Sequence, residues 1–187
     1  NGGVASNIGA STNAAANLVF GGGTLQYTGG SVTIDRNYTL ATGTTNSIDV
    51  TQNTTNLNIS GASTASTGAL RKLGDGTLTL GGANLYTGLT SVLDGTLAAG
   101  INNALSSGAV TVNGGIYNID GFSDSVGTVT LTDGSILGTT GVLTGSSFAV
   151  QNGLITAILG GAGNLAKTTA GTVTLSGLNT YTGSTTL

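Results

Sequence analysis

The 187-residue chain contains no cysteine, histidine, methionine, proline, tryptophan or glutamate. Without cysteine and histidine it has no disulfide bonds, no thiolate or imidazole catalysis and no ordinary zinc site. Charged residues make up only 6% of the chain, against about 25% in ordinary soluble domains. The net charge of −3 argues against nucleic acid as a partner, because such a partner needs a basic surface. No apolar run approaches the roughly 18 residues of a membrane span, so direct membrane insertion is not expected.

Aliphatic residues alternate with threonine in several short runs. Residues 77–80 read Thr-Leu-Thr-Leu, and residues 128–131 and 172–175 both read Thr-Val-Thr-Leu. Successive side chains of a strand point to opposite faces, so this alternation predicts strands with one buried and one wet face. Gly, Asn-Gly and Asp-Gly steps separate the runs and predict tight turns. Short strands and few aromatic residues favour a narrow coil of stacked strands over a sandwich or a barrel.

A long repeat organises the chain. Residues 68–92 and 163–187 align without a gap and are identical at thirteen of twenty-five positions. The signature residues that recur in the two copies are Leu70, Lys72, Gly76, Leu80, Asn84, Tyr86 and Gly88, matched by Leu165, Lys167, Gly171, Leu175, Asn179, Tyr181 and Gly183. The offset of 95 residues predicts two tandem modules, roughly 1–93 and 94–187.

The repeat and the alternation together predict an all-β fold, a parallel β-helix (β-solenoid) of roughly nine coils with about 20 residues each. We expect residues 1–187 to form a single continuous segment of a longer repetitive protein. Residues 1–6 resemble the stretch that begins at Asp94, which is where the pattern would resume after Leu187. The expected partners are therefore adjacent solenoid modules of the same chain, or further copies joined head to tail.

A known family shares this pattern. Residues 70–80 read Leu-Arg-Lys-Leu-Gly-Asp-Gly-Thr-Leu-Thr-Leu, and Asn-Leu-Tyr-Thr-Gly follows at 84–88. With Asp-Gly-Thr-Leu at 94–97, they resemble the autotransporter-associated β-strand repeat. Residues 165–187 match about as well, with Thr169 in place of a glycine.

The resemblance implies a right-handed parallel β-helix in a large secreted protein, often an adhesin passenger. It implies an extracellular location, on the outer face of a Gram-negative-type bacterium. The repeat carries no known catalytic residue and no cofactor, so the resemblance supplies neither for this chain.

Three functions are compatible with these patterns. The leading hypothesis is a non-enzymatic structural segment, a stalk, fibre or adhesin passenger. The alternative is an adhesive module whose Thr/Asn/Ser face binds a glycan or a host surface. The third is a polysaccharide-acting β-helix enzyme, which would need several charged groups along one groove.

The candidate chemical sites are few. Asp120 and Asp124 are close in sequence and could ligate Ca²⁺ or act as an acid–base pair, but we favour the interpretation that both cap turn amides. Residues 161–168 resemble a phosphate loop, yet the residues that follow favour a strand rather than the helix such a loop needs.

Two repeated residue types also allow two interpretations each. Lys72 and Lys167 either pair with a carboxylate or, as we favour, act as solvated charges that prevent sideways strand pairing. Tyr86 and Tyr181 either stack on sugars or, as we favour, pack at corners of the coil.

Overall fold

The computed structural model describes residues 1–6 and 8–187. Among these residues the only helical segment is a short 3-10 turn at Ala15–Asn17. The rest of the regular structure is made of the following strands: β1 (Val19–Phe20), β2 (Thr24–Tyr27), β3 (Val32–Ile34), β4 (Thr39–Leu40), β5 (Thr45–Val50), β6 (Asn56–Ile59), β7 (Ala69–Leu73), β8 (Thr77–Leu80), β9 (Thr90–Val92), β10 (Thr96–Ala99), β11 (Val110–Asp120), β12 (Asp124–Gly138), β13 (Val142–Val150), β14 (Gly153–Ile155), β15 (Ile158–Gly160), β16 (Asn164–Ala166), β17 (Val173–Leu175) and β18 (Thr185–Thr186).

These strands pair in parallel with the strands one coil before and one coil after them. On one side, called face A here, nine strands stack in the order β2, β5, β7, β9, β11, β12, β13, β16, β18. Nine strands make eight steps, so the solenoid has about eight turns and is on the order of 40 Å long at about 4.8 Å per step. The predicted parallel β-solenoid is confirmed, and its parallel stacking is consistent with a right-handed coil.

The nine strands of face A agree with the roughly nine coils that the sequence predicts, but the coils differ in length. The register pairs Thr24 with Ser47 and Ser47 with Arg71, so the first two steps take 23 and 24 residues. The step from Thr111 to Thr130 takes only 19. Residues 1–6, which resemble the stretch that begins at Asp94, lie in turns and irregular structure.

The second side, called face B, contains β3, β6, β8, β10, β14, β17 and the later parts of β11 and β12. Its inward residues stack in register into a continuous apolar column, in which every member is buried: Leu57, Leu78, Leu97, Tyr117, Ile136 and Ile155. The predicted alternation is confirmed at residues 77–80 and 128–131. In residues 172–175 Leu175 is instead 38% exposed.

A third side closes the coil with shorter pairings. β1 pairs with β4, and β13 pairs with β15. Between them lie single parallel bridges from Tyr38 to Ser63 and from Ser66 to Tyr86. This side has little regular strand structure, so side chains replace part of its main-chain hydrogen bonding.

Glycines form a column at one corner of the coil. Gly68, Gly88 and Gly108 follow one another in successive coils, and Gly127 continues the column. A Cβ atom built on Gly88 would lie 2.3 Å from the carbonyl oxygen of Gly68, and one on Gly108 would lie 2.5 Å from that of Gly88. Only a residue without a side chain allows the main chains of neighbouring coils to approach this closely.

We expect the Gly88→Ala substitution to lower the free energy of unfolding by about 1–3 kcal/mol, because the added methyl group overpacks a rigid corner. Gly30→Ala is the matched control, since its Cβ would meet nothing within 4 Å. That variant should be neutral, or more stable by less than about 1 kcal/mol. Urea unfolding of the two variants tests this, and equal effects would contradict the close approach.

Candidate functional site: buried polar side chains of the repeat

The first copy of the repeat buries nearly all its signature side chains. Leu70 and Leu80 are in the apolar core, with relative exposures of 0% and 1%. Lys72 belongs to β7 and is also fully buried. In the parallel register it lies between Ile48 of the preceding coil and Val92 of the next.

The ammonium group of Lys72 binds main-chain oxygens at the corner after β7. Its Nζ donates to the carbonyl of Leu73 at 2.8 Å and to that of Gly74 at 2.6 Å. A third bond, of 3.3 Å, reaches the carbonyl of Asp94 in the next coil. The lysine therefore fixes its own corner and links it to the coil above.

This environment overturns the favoured interpretation of Lys72 as a solvated charge. Burial lowers the pKa of Lys72 to about 8, although the negative charges of Asp94, Asp49 and Asp75 favour its protonated form. Carbonyl oxygens rather than a carboxylate accept its hydrogen bonds. A buried ammonium group is tolerated only where such acceptors replace its lost hydration.

Asn84 is a second buried link, and it connects four successive coils. Its Oδ1 accepts from the hydroxyl of Tyr38 and from the main-chain N–H of Ser63, both at 2.8 Å. Its Nδ2 donates to the carbonyl of Gly82 at 3.0 Å and to that of Ala104, in the following coil, at 2.8 Å. All the bonding positions of the amide are thus used.

Tyr86 packs at a corner, with a relative exposure of 1%. Its hydroxyl is 2.8 Å from the Oγ1 of Thr90, and burial raises its pKa. Its main-chain N–H donates to the Oγ of Ser63 at 3.3 Å. A ring enclosed in this way offers no face to a sugar, so the stacking interpretation fails for Tyr86.

The partners of these residues were not recognised in the sequence. Tyr38 and Ser63 complete the network around Asn84, yet neither lies in the repeated segment. No motif or repeat in the sequence singles them out.

The second copy occupies the last coil. Lys167 donates to the carbonyl of Thr169, and Asn179 accepts from the N–H of Leu159 at 2.9 Å. The hydroxyl of Tyr181 is 2.8 Å from the Oγ1 of Thr185, as in the first copy. Lys167, Asn179 and Tyr181 are only half-buried. The local geometry and the bond of the asparagine to the preceding coil are therefore repeated. The bonds to a following coil, made by Lys72 to Asp94 and by Asn84 to Ala104, have no counterpart in the described residues.

Asp124 and Asp120 differ in environment. Asp124 is 1% exposed. It accepts from the hydroxyl of Tyr117 and, at 3.1 Å, from the N–H groups of Leu105 and Ser125. Burial raises the pKa of Asp124, and these three hydrogen bonds oppose the shift. The carboxylate is an internal link between coils.

Asp120 lies at the exposed end of β11 with a φ of 45°. Its Oδ1 accepts from the Oγ1 of Thr139 at 3.1 Å. Within residues 1–6 and 8–187, no three Asp side chains come together as a metal site would require. With one carboxylate exposed and the other enclosed, the geometry does not favour an acid–base pair.

The glycine-rich segment 161–168 does not form a phosphate loop. Its central part is the strand β16, which pairs with β13 in parallel and is followed by no helix. A phosphate loop depends on the N–H groups of a helix that begins there. In the described part of the chain, no helix is long and apolar enough to cross a membrane.

Together, the buried lysine, asparagine, tyrosine and aspartate act as cross-links between coils. Residues 70–99 and 165–187 match the model of the passenger-associated-transport-repeat. Both copies of the repeat belong to that family. The resemblance to autotransporter passenger repeats is thereby confirmed. In the first copy, the passenger-associated-transport-repeat is a coil whose polar signature residues point inwards.

One similar protein extends over the whole chain. It is the adhesin BmaC autotransporter of Brucella suis biovar 1 (strain 1330), which is 43% identical over 196 residues. The alignment covers 100% of this chain and 6% of the relative. This chain therefore corresponds to a small part of that protein's length. No solved structure matches the chain.

We expect Lys72→Met to lower the free energy of unfolding by about 1–3 kcal/mol at pH 7, because three carbonyls lose a donor inside the fold. Lys167→Met is the matched control at the equivalent position of the uncovered coil. It should cost less than about 1 kcal/mol, as exposed charges usually do. Urea unfolding of both variants tests the difference, and an equal loss would contradict the cross-coil role of Lys72.

Asp124 should make stability depend on pH. Its pKa is raised in the folded chain, so the folded state holds the proton to higher pH than the unfolded state, whose pKa is about 3.9. The resulting stabilisation is complete below that value and is lost as pH rises through the folded pKa. The stability of wild type relative to Asp124→Asn should therefore be greater at pH 3 than at pH 7 in urea unfolding. A difference that is constant with pH would show that Asp124 keeps its ordinary pKa.

Proposed function

We propose that this chain is a non-enzymatic structural segment of a bacterial surface adhesin, displayed outside the cell on a Gram-negative-type bacterium. The observation that carries the proposal is the unbroken stack of parallel strands on face A, from β2 to β18. A stack in which every coil bonds to both neighbours resists bending and extends in one direction. Such a segment adds length and stiffness to a larger protein.

The use of polar residues supports the same proposal. The repeat places its lysine, asparagine and tyrosine inside the coil, where they bind main-chain atoms and one another. An enzyme would instead aim such groups into a cleft open to substrate. Here the polar side chains of the first copy form internal cross-links that hold the coils together.

The relative gives independent support. It is named an adhesin and an autotransporter, and this chain aligns with 6% of it. A repeat family described as passenger-associated accounts for two segments of the chain. We infer that residues 1–187 are one portion of a passenger built from many such coils.

A deletion tests the structural role in the surface protein that contains this chain. Removing residues 70–164 joins Ala69 to Leu165, which occupies the same place in the repeat as Leu70. The stack should remain continuous and shorter, so surface display and cell adhesion should both persist. Display is measured with an antibody to an outer epitope, and adhesion by counting cells bound to host cells.

The control deletion removes residues 70–154 and joins strands out of phase. It should reduce display at the cell surface, because Ala69 at the start of a face A strand is joined to Ile155 at the end of the face B strand β14, so the corner between the faces is lost and the coils no longer stack in register. Normal display with lost adhesion after the in-phase deletion would contradict a purely structural role.

A second candidate is direct adhesion through face B. Its outward residues Asn56, Thr77 and Thr96 stack in register, with Asn58 and Thr79 beside them. The Oγ1 of Thr79 donates to the Oδ1 of Asn56 at 2.9 Å, so this uncharged surface is ordered. A neutral glycan is the partner such hydroxyl and amide groups would suit. Binding of the isolated chain on a glycan array would favour this candidate.

A further inference from the structure

The chain contains three Asn-Gly steps, at residues 1–2, 113–114 and 152–153. Asparagine is one of the thermolabile residues of proteins, and a following glycine makes it more reactive, because glycine has no side chain to keep its nitrogen away from the asparagine amide. The fold holds the three steps differently. At the first, the N–H of Gly2 donates to the Oδ1 of Asp35 at 2.7 Å, so its nitrogen is engaged.

Asn152 is held at both ends of its amide. Its Nδ2 donates to the Oδ1 of Asp133 at 2.9 Å, and its Oδ1 accepts from the main-chain N–H of Thr172 at 3.3 Å. The N–H of Gly153 donates to the carbonyl of Thr172 at 2.9 Å. Both groups that would have to react at this step, the side-chain amide and the glycine nitrogen, are therefore occupied.

Asn113 lies at a corner of the coil and has no such restraint. The part of β11 before it pairs with β9 on face A, and the part after it pairs with β10 on face B. The side chain of Asn113 and the following Gly114 are both exposed. Among the described residues, none bonds to its amide in the way that Asn152 is held. The amide of Asn113 is therefore free to turn towards the nitrogen of Gly114.

The main chain around Asn113 is also irregular. Asn113 pairs with Asp133 of the next coil, and the register shifts on both sides of this pair. The next pair lies three residues on in β11 but two residues on in β12, so Gly114 and Gly115 oppose the single residue Gly134. Such a β-bulge disrupts the ladder and bends the strand locally. A ring between the Asn113 side chain and the next nitrogen requires the main chain to leave the extended conformation, which the bulge permits.

We propose that Asn113 is a site of spontaneous deamidation in the folded chain. The main-chain nitrogen of Gly114 attacks the Cγ of Asn113 and gives up its proton, the Cγ–Nδ2 bond breaks, and the proton leaves with the departing ammonia. Water then opens the resulting succinimide at either carbonyl and gives aspartate or isoaspartate. The net reaction consumes one water and releases one ammonia, and it needs no oxidant or reductant.

The product places a new carboxylate at this corner of the coil. Asn113 is paired in register with Asp133, so the reaction adds a negative charge beside an existing one. Isoaspartate also lengthens the main chain by one methylene group, which the bulge at Gly114 and Gly115 accommodates without moving the paired strands on either side. The charge of this corner therefore changes with the age of the molecule.

Incubation of the folded wild-type chain tests the proposal. The chain is kept at pH 8 and digested with chymotrypsin, and the peptides that contain Asn113 and Asn152 are followed by mass spectrometry for the gain of one mass unit that deamidation causes. We expect Asn113 to react at least about tenfold faster than Asn152, because two hydrogen bonds of the Asn152 amide must break first. Asn113→Gln, whose longer side chain cyclises far more slowly, should lose the fast modification.

Incubation in urea is the second control. Both asparagines precede glycine, so their rates should converge in the unfolded chain, where neither is held by a neighbouring coil. Equal rates in the folded chain, or a faster rate at Asn152, would overturn the proposal. Deamidation of Asn113 in urea alone would also overturn it, because the fold would then protect this corner.

Discussion

The close parallel spacing of coils is the constraint on which the rest of the structure depends. Main-chain hydrogen bonds between coils require strands about 4.8 Å apart at every step. At the corners this spacing leaves no room for a side chain, as the contact of Gly88 with Gly68 shows. Along the faces this spacing places residues of the same kind above one another in successive coils. Leu57, Leu78 and Leu97 form an apolar column in this way. Composition follows from this geometry, with glycine at corners and aliphatic residues inside.

The same spacing decides how polar groups can be buried. A side chain inside a coil lies beside the main chain of the next coil, so carbonyl oxygens are always near. Lys72 and Asn84 use them, through Asp94 and Ala104 respectively. Burying an ammonium group is costly in free energy, which the lowered pKa of Lys72 reflects. The bonds to the corner offset that cost only where the next coil is in place.

The sequence predicted the fold well, because period-two alternation and corner glycines are direct consequences of the coil. It also contained the signal for Lys72, since Leu70 and Lys72 are two residues apart on one strand and so share a face. The interpretation of Lys72 as a solvated charge was wrong for two reasons. Lysine is rarely buried, and the acceptors of Lys72 are main-chain atoms, which no side-chain pattern reveals. The length of the individual coils was less predictable, because the first two steps, which pair Thr24, Ser47 and Arg71, take 23 and 24 residues. The roles of Tyr38 and Ser63 could not be predicted from the repeat, because both residues bond to Asn84 without belonging to the repeated segment.

Buried polar groups also restrict which register is stable. In a coil with a purely aliphatic interior, neighbouring strands could slip by two residues and still bury apolar side chains. With Lys72 in the stack, such a slip would separate its ammonium group from the carbonyl of Asp94, and Asn84 would lose Ala104 in the same way. An unpaired charge inside the core would then make the slipped register unstable. A long stack of similar coils has many wrong registers available. We therefore infer that the bonds of Lys72 and Asn84 to the next coil make one register far more stable than the rest.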